Sequence, residues 1–274
     1  MRVVAMMIAT LVVVTSPIQA ATPQATPSVE ALQLALKRFN DDAFFPLPAL
    51  SKAEWKDLHN GEVVRIIDHP GKSADAPKRA TALLLTPTSR NKVWIACQDV
   101  HFSQNTNVVD ILVGSTPETG DQWYGFLHLP RPFHDRQWVV GVRNNHEMAK
   151  RQPGIGWEHY WQNIDDPAKA AWPYVSRGEA RGITIKQYQE AVWTPNNSGA
   201  WVAIAVGEDH TVLGYHAQAT LGGYIPEALL LTWAKAQLDD MLLGMAERAT
   251  QIPTHYTSEH APLKGGDGKE IPRW

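Results

Sequence analysis

Apolar and polar positions recur along this chain with two different periods. From Glu62 to Thr220 short runs alternate every second residue, the pattern of strands with one face buried. Strands are predicted at Glu62–Asp68, Arg79–Leu85, Val108–Val113, Gln122–Leu129, Gln137–Arg143, Ile155–Gln162, Ile185–Trp193, Ala200–Val206 and Thr211–Thr220. Turn clusters at Ser115–Gly120, Pro195–Gly199 and Gly207–Asp209 separate them, as in an antiparallel meander. From Pro226 to Thr250 the period lengthens to three and four. Leu231, Ala234, Leu238, Met241, Leu242, Met245 and Ala249 then form one apolar stripe, while Asp239, Asp240, Glu247 and Arg248 fall elsewhere.

Shorter helices are predicted earlier. Ser28 caps one running to Phe39, and Ser51 to Glu54 resembles a capping box opening another past Trp55 and Leu58. Pro87 to Ser89 starts a third that buries Val93, Trp94 and Cys97, and Asp165 to Gly182 reads as an irregular insertion. A sheet cannot bury its face unaided, so the closing helix must cover it. The pattern predicts an α+β helix-grip fold, a curved antiparallel sheet wrapped around a long C-terminal helix.

The ends carry different signals. Residues 1–20 read as an export signal: Arg2, then an apolar run from Val3 to Val14, then a small residue at Ala20. That run is shorter than the roughly 20 residues a membrane span needs. The expected layout is a signal peptide at 1–20, a linker at 21–28, the main domain at 29–252 and a disordered tail at 253–274, with an exported, periplasmic or secreted location. A net charge of -3 argues against nucleic acid as a partner. Cys97, the one cysteine, leaves no internal disulfide, and its apolar surroundings suggest a small buried hydrophobe.

Several short pieces occur in a telling order: Leu58–Val63; Val93-Trp94; Leu129-Pro130-Arg131-Pro132 with Asp135-Arg136; Gly199-Ala200-Trp201; and Gly222-Gly223-Tyr224-Ile225-Pro226. With them the chain, roughly from Glu54 to Ala249, resembles the START-like lipid-transfer domains of the Bet v 1-like, polyketide cyclase-related superfamily. The resemblance implies a tunnel between sheet and helix for a lipid or other hydrophobic small molecule, with no cofactor and at most transient membrane contact. Some sterol-binding relatives carry a buried Arg six residues after the Arg of the Asp-Arg pair. Here that position is Val142, so any ligand hydroxyl must be held by other groups.

Alternation places Trp138, Val140 and Val142 on one strand face, and Leu213, Tyr215, Ala217 and Ala219 on another. In Ala200–Val206 either Trp201, Ala203 and Ala205 or the opposite set faces in. The candidate lining is Trp138, Val140, Val142, Trp201, Ala203, Tyr215, Ala217, Trp233, Leu238, Met241, Leu242 and Met245. Small alanines opposite a helix favour a void, and the adaptable methionines suit varied ligands; equally, Leu238, Met241 and Met245 could fill the space as solid core. Pro130, Pro132, Gly222 and Gly223 are candidate gate or hinge positions, and Asp135 and Arg136 are read as a salt bridge bracing the turn.

No catalytic residue and no metal site is expected. His210 and His216 share a strand face about 20 Å apart, too far to share an ion. A Gly-x-Ser-x-Gly elbow, a phosphate loop and Cys-x-x-Cys are all missing. Two alternatives remain: a cyclase or aromatase on the same scaffold, using His216 or His159 if either points inward, and an envelope protein with a solid core and a protein partner.

Overall fold

Strands form where the two-residue rhythm predicts them, and their order in space decides what they enclose. The computed structural model describes residues 25–70, 77–98, 108–222 and 227–274, with side chains of the last stretch from 238 onward. The strands are β1 (Val64–Asp68), β2 (Arg79–Thr86), β3 (Val108–Thr116), β4 (Gly120–Leu127), β5 (Arg136–Asn144), β6 (Gly156–Asn163), β7 (Val192–Trp193), β8 (Asn196–Val206) and β9 (His210–Thr220). Among the described residues they make one sheet, β1-β2-β9-β8-β6-β5-β4-β3, antiparallel throughout, with short β7 pairing parallel to β5. The tight turn entering β4 rests on Gly120, whose φ of +72 lies in the left-handed region a side chain disfavours.

The helices are α1 (Val29–Asp42), α2 (Lys52–His59), α3 (Arg90–Gln98), α4 (His146–Arg151), α5 (Pro167–Ser176), α6 (Ile185–Glu190) and α7 (Glu227–His255). They divide between the two faces of the sheet. On the inner face the C-terminal half of α7 lays Leu238, Leu242, Met245, Ala249 and Ile252 against Ala82, Leu84, Ala203 and Leu213, with Val93 to Ala96 of α3 alongside. On the outer face α1 and α2 cover Leu83, Leu85, Val202, Ile204 and Val212. The outer side of β3–β5 is closed by α5 and its neighbours through Tyr124, Phe126, Val139, Ala171 and Val175.

The N-terminal segment is pinned to the outer face by one buried acid. Glu158 of β6 accepts hydrogen bonds from the backbone N–H of Phe44 (2.7 Å) and Phe45 (2.9 Å) and from Asn145 Nδ2 (2.7 Å). Burial raises its carboxyl above the usual range although these donors oppose the shift. On the inner side, Arg65 of β1 forms a two-pronged ion pair with Asp239 of α7, tying the sheet edge to the helix.

Four expectations change. Ile185–Trp193 is not one strand: Ile185–Glu190 is helix, because Thr184 and Gln187 form a reciprocal capping box, and only Val192–Trp193 is strand. The insertion at Asp165–Gly182 contains α5, capped by Asp166 and started at Pro167. The last helix runs on to His255. The tail read as disordered at 253–274 is instead folded back. Tyr256 and Ile271 are buried, the Trp94 indole N–H donates to the Lys264 carbonyl (3.0 Å), and Gly265 and Gly266 lie against the Trp157 ring. Polar composition alone does not reveal that a neighbouring aromatic surface is waiting for such a segment. The signal peptide at 1–20 and most of the linker lie outside the described residues.

Candidate functional site

Register fixes which side chains share the inner face. Trp138, Val140 and Val142 of β5 stand opposite Gly125, Trp123 and Asp121 of β4. Val142 in turn pairs with Trp161 of β6, and Trp161 with Gly199 of β8. His159 pairs with Trp201, Trp201 with Tyr215, Gly199 with Ala217 and Ala203 with Leu213. Directly paired residues lie on one side, so all of these belong to the face that carries α7.

Two indoles on this face lie across the sheet. A Cβ added to Gly125 would come within 2.3 Å of Trp138 Cε2 and Nε1, and one added to Gly199 within 2.5 Å of Trp161 Cζ2. Each ring therefore rests over a glycine of the adjacent strand, so its bulk covers backbone instead of projecting into the interior. Tyr215 sits between Trp161 and Trp201, with ring centroids 5.6 and 4.7 Å away. The glycines and the flat rings make a broad aromatic floor.

The candidate lining divides in two. Ala203, Leu238, Leu242 and Met245 are buried in the packed core under α7, and Met241 packs against them, so these residues hold the helix down. Trp138, Val142, Trp201, Tyr215 and Ala217 remain half-buried on the floor, and Val140 is buried within it. Farther along, Leu112 of β3 is 47% exposed. Trp233 and Gly223 lie outside the described side chains. The sequence reading missed Trp123, Trp161, Asp110 and Leu112, and named His159 only for the cyclase alternative. Alternation within their own predicted strands put Trp161 with Trp157, but only cross-strand register joins them to Trp138.

Asp110 of β3 stands opposite Gly125, on the inner face. The Tyr215 hydroxyl of β9 is pushed up to about 12, chiefly by burial. A register shift between Leu112 and Gly114 bends β3 at this edge. Asp110 is exposed, yet desolvation by its neighbours raises it to about 6, with Arg181 opposing the shift. His159 is held neutral down to about 4 by burial, its Nδ1 2.6 Å from Asn144 Oδ1.

His216 points the other way. It pairs with Ala200 and Thr81 on the outer face, is 1% exposed, and has its ring edge-on to Phe45 at 5.5 Å. It cannot act on the inner face, which removes one of the two histidines available to a cyclase. Two cavities of about 260 Å³ also lie outside the interior. One is bordered by Leu36, Asn40 and Trp55, the other by Phe45, Arg79, His216 and Gln218.

The gate residues hold together differently from the expected Asp135–Arg136 bridge. Asp135 Oδ1 accepts from the Leu129 N–H (3.0 Å), closing the turn that exposes Pro130 and Pro132. Arg136 is buried and donates to the His134 carbonyl and, at 2.9 Å, to the Gly222 carbonyl. Adjacent strand residues point to opposite faces, so the two side chains part. Gly222, with a φ of +67, is thus clamped from the β5 side and wedged near Val192 and Pro195. Cys97 is half-buried, with its thiol pushed up by desolvation. Among the described residues no helix is long and apolar enough to cross a membrane, and no group of three or more potential metal ligands gathers.

No family model matches the sequence, and no curated protein does. Solved structures do. Human STARD10 matches at a TM-score of 0.49 and 10% identity, over 78% of this chain and 85% of that one. Human StAR-related lipid transfer protein 5 matches at 0.49 and 12% identity, over 81% and 97%. A STAR-related lipid transfer protein fragment from Xanthomonas axonopodis matches at 0.46 and 14%, over 68% and 99%. The described chain itself is one antiparallel sheet with a long C-terminal helix laid against its inner face.

Proposed function

We propose that the protein binds a lipid or other hydrophobic small molecule between the sheet and α7, shields it from water, and performs no covalent step on it. One observation carries this reading. The inner face beyond the packed half of α7 is an aromatic floor, with Trp138 and Trp161 laid over glycines and Leu112 open, while helices α1, α2 and α5 cover most of the outer face. An apolar guest covering that floor would gain about 25 cal/mol for each Å² of apolar surface taken from water. Few polar groups interrupt it, as expected of a site that selects by shape. The turn at Leu129–Asp135 and the entry to α7, joined through Arg136, would form the movable cover. With the N-terminal signal, the reading extends to an exported carrier moving its cargo across an aqueous compartment.

The test uses the purified full chain. Organic extraction followed by mass spectrometry should recover an apolar molecule, or the stripped protein should take up a fluorescent lipid analogue with energy transfer from tryptophan. Trp138→Ala should reduce that transfer with the fold intact. A clean extract together with no uptake of any lipid class would overturn the proposal.

A further inference from the structure

Where α1 and α2 cover the outer face of the sheet it is apolar, through Leu83, Leu85, Val202, Ile204 and Val212. Two neighbouring rows on that face are polar instead. Register sets Thr81, His216 and Ala200 side by side in one row, and Arg79, Gln218 and Ser198 in the next. The cavity of about 260 Å³ bordered by Phe45, Arg79, His216 and Gln218 lies at these rows, with Pro46, Pro70 and Ser198 completing its edge. Its walls are fixed. The Phe45 N–H donates to Glu158 (2.9 Å), and the Pro46 carbonyl accepts from Arg79 Nη1. His216 is 1% exposed, yet among the described residues neither of its ring nitrogens has a hydrogen-bond partner. Thr81 Oγ1, beside it in register and fully buried, has none either. Buried polar groups are ordinarily paired, so three unpaired atoms in one row call for an explanation. The cavity that His216 borders supplies the room for a partner.

We infer that this outer cavity is a second binding site, separate from the interior and independent of the carrier reading, for a small uncharged molecule bearing both a hydrogen-bond donor and an acceptor, of the carboxamide or lactam class. Charge balance excludes ions. Arg79 gives its Nε and Nη2 protons to the two oxygens of Asp68 (2.9 and 2.6 Å), so the cation at the cavity is already neutralised. Glu158, behind Phe45, is occupied by its three donors. Burial and Arg79 hold His216 neutral down to about 3, with Asp68 pulling the other way. An ion entering here would lose its hydration without gaining a counter-ion. A neutral imidazole presents one N–H donor and one bare acceptor nitrogen. A carboxamide answers either, its carbonyl accepting from the N–H or its NH2 donating to the bare nitrogen. The Ser198 hydroxyl, whose own bond to the Gln218 carbonyl is a long 3.5 Å, can serve the amide group left over. Phe45, Pro46 and Pro70 offer apolar surface to the rest of the guest. A water takes up about 30 Å³ in the liquid, so the space suits a molecule of roughly eight or nine non-hydrogen atoms.

The experiment follows the imidazole signals of the histidine-labelled full-length protein by NMR at neutral pH while benzamide, benzoate, benzylammonium and toluene are added separately. The four share one ring and differ in the group it carries. His216 is recognised by its proximity to the Phe45 ring, 5.5 Å away between centroids, and His159 reports entry at the inner face. Benzamide should shift the His216 signals saturably and bind about ten-fold or more tightly than the other three, the effect of one hydrogen bond. Ser198→Val, which narrows the cavity and leaves His216 in place, should weaken benzamide by a similar factor. Unmoved His216 signals with all four probes, or shifts at His159 alone, would overturn the site and leave the cavity to ordered water. Benzoate or benzylammonium binding as tightly as benzamide would overturn the uncharged class, and equal binding of toluene would overturn the role of hydrogen bonds. None of these results bears on lipid uptake by the interior. The comparison among probes on the unmodified protein decides the matter even if the variant folds poorly.

Discussion

Substituting Gly125 by alanine would test whether the interior depends on the recumbent Trp138. The new methyl would lie 2.3 Å from Cε2 and Nε1 of the indole and 2.6 Å from Cζ2. Carbon atoms rest at roughly 3.5–4.0 Å, so the ring must retreat by more than about 1 Å. The sheet lies behind it, so the retreat is away from the sheet, into the space the proposed guest would take. Overpacking of this kind costs about 1–3 kcal/mol, and in a chain of this size each kcal/mol lowers the melting temperature by roughly 2–4 °C. Gly125→Ala should therefore melt several degrees lower, and it should take up less of a fluorescent lipid analogue because the ring now occupies guest volume. The control is the same substitution in a Trp138→Ala background, where the added methyl meets no indole and should cost little. The coupling between the two sites, read from the four melting curves, should be well above 0.5 kcal/mol. If Gly125→Ala left both melting and uptake unchanged, or destabilised the Trp138→Ala protein equally, the floor would not be built as described.

Acid should weaken the fold through His216, which stays neutral down to about 3 because burial and Arg79 oppose its charge. An unfolded histidine protonates near 6.5, so below that pH the unfolded chain takes up a proton the folded one refuses. Stability then falls by about 1.4 kcal/mol per pH unit until the folded value is reached. Asp110, raised to about 6, works in the opposite sense, taking up its proton in the folded state first, so it blunts the loss as pH falls from about 6 towards 4. Urea midpoints at pH 7.5, 6 and 5 should fall less steeply for His216→Phe than for the parent, and parallel declines would refute the assignment. Replacing Glu158 by alanine should orphan the N–H groups of Phe44 and Phe45 and the amide of Asn145 at a cost on the order of 3 kcal/mol. Hydrogen exchange should show the segment around Phe44 opening before the sheet does, and unchanged protection there would count against the anchor.

The alternation of apolar residues was enough, on its own, to locate most strands, the long last helix and the α+β class, since those features depend on which residues repeat within one segment. Capping chemistry likewise placed the first two helices, with Ser28 and Ser51 bonded to their first turns. At Ile185–Trp193 two local signals competed, and the Thr184–Gln187 box prevailed over apolar alternation. Relations between strands were a different matter. That His159 turns in and His216 turns out, and that Trp161 lies over Gly199, depend on register. So does the order in the tail, where Tyr256 and Gly266 find their partners only once Trp94 and Trp157 have been assembled from distant parts of the chain. A segment's own periodicity says that it has two faces, and only packing against the rest of the molecule says what each face meets.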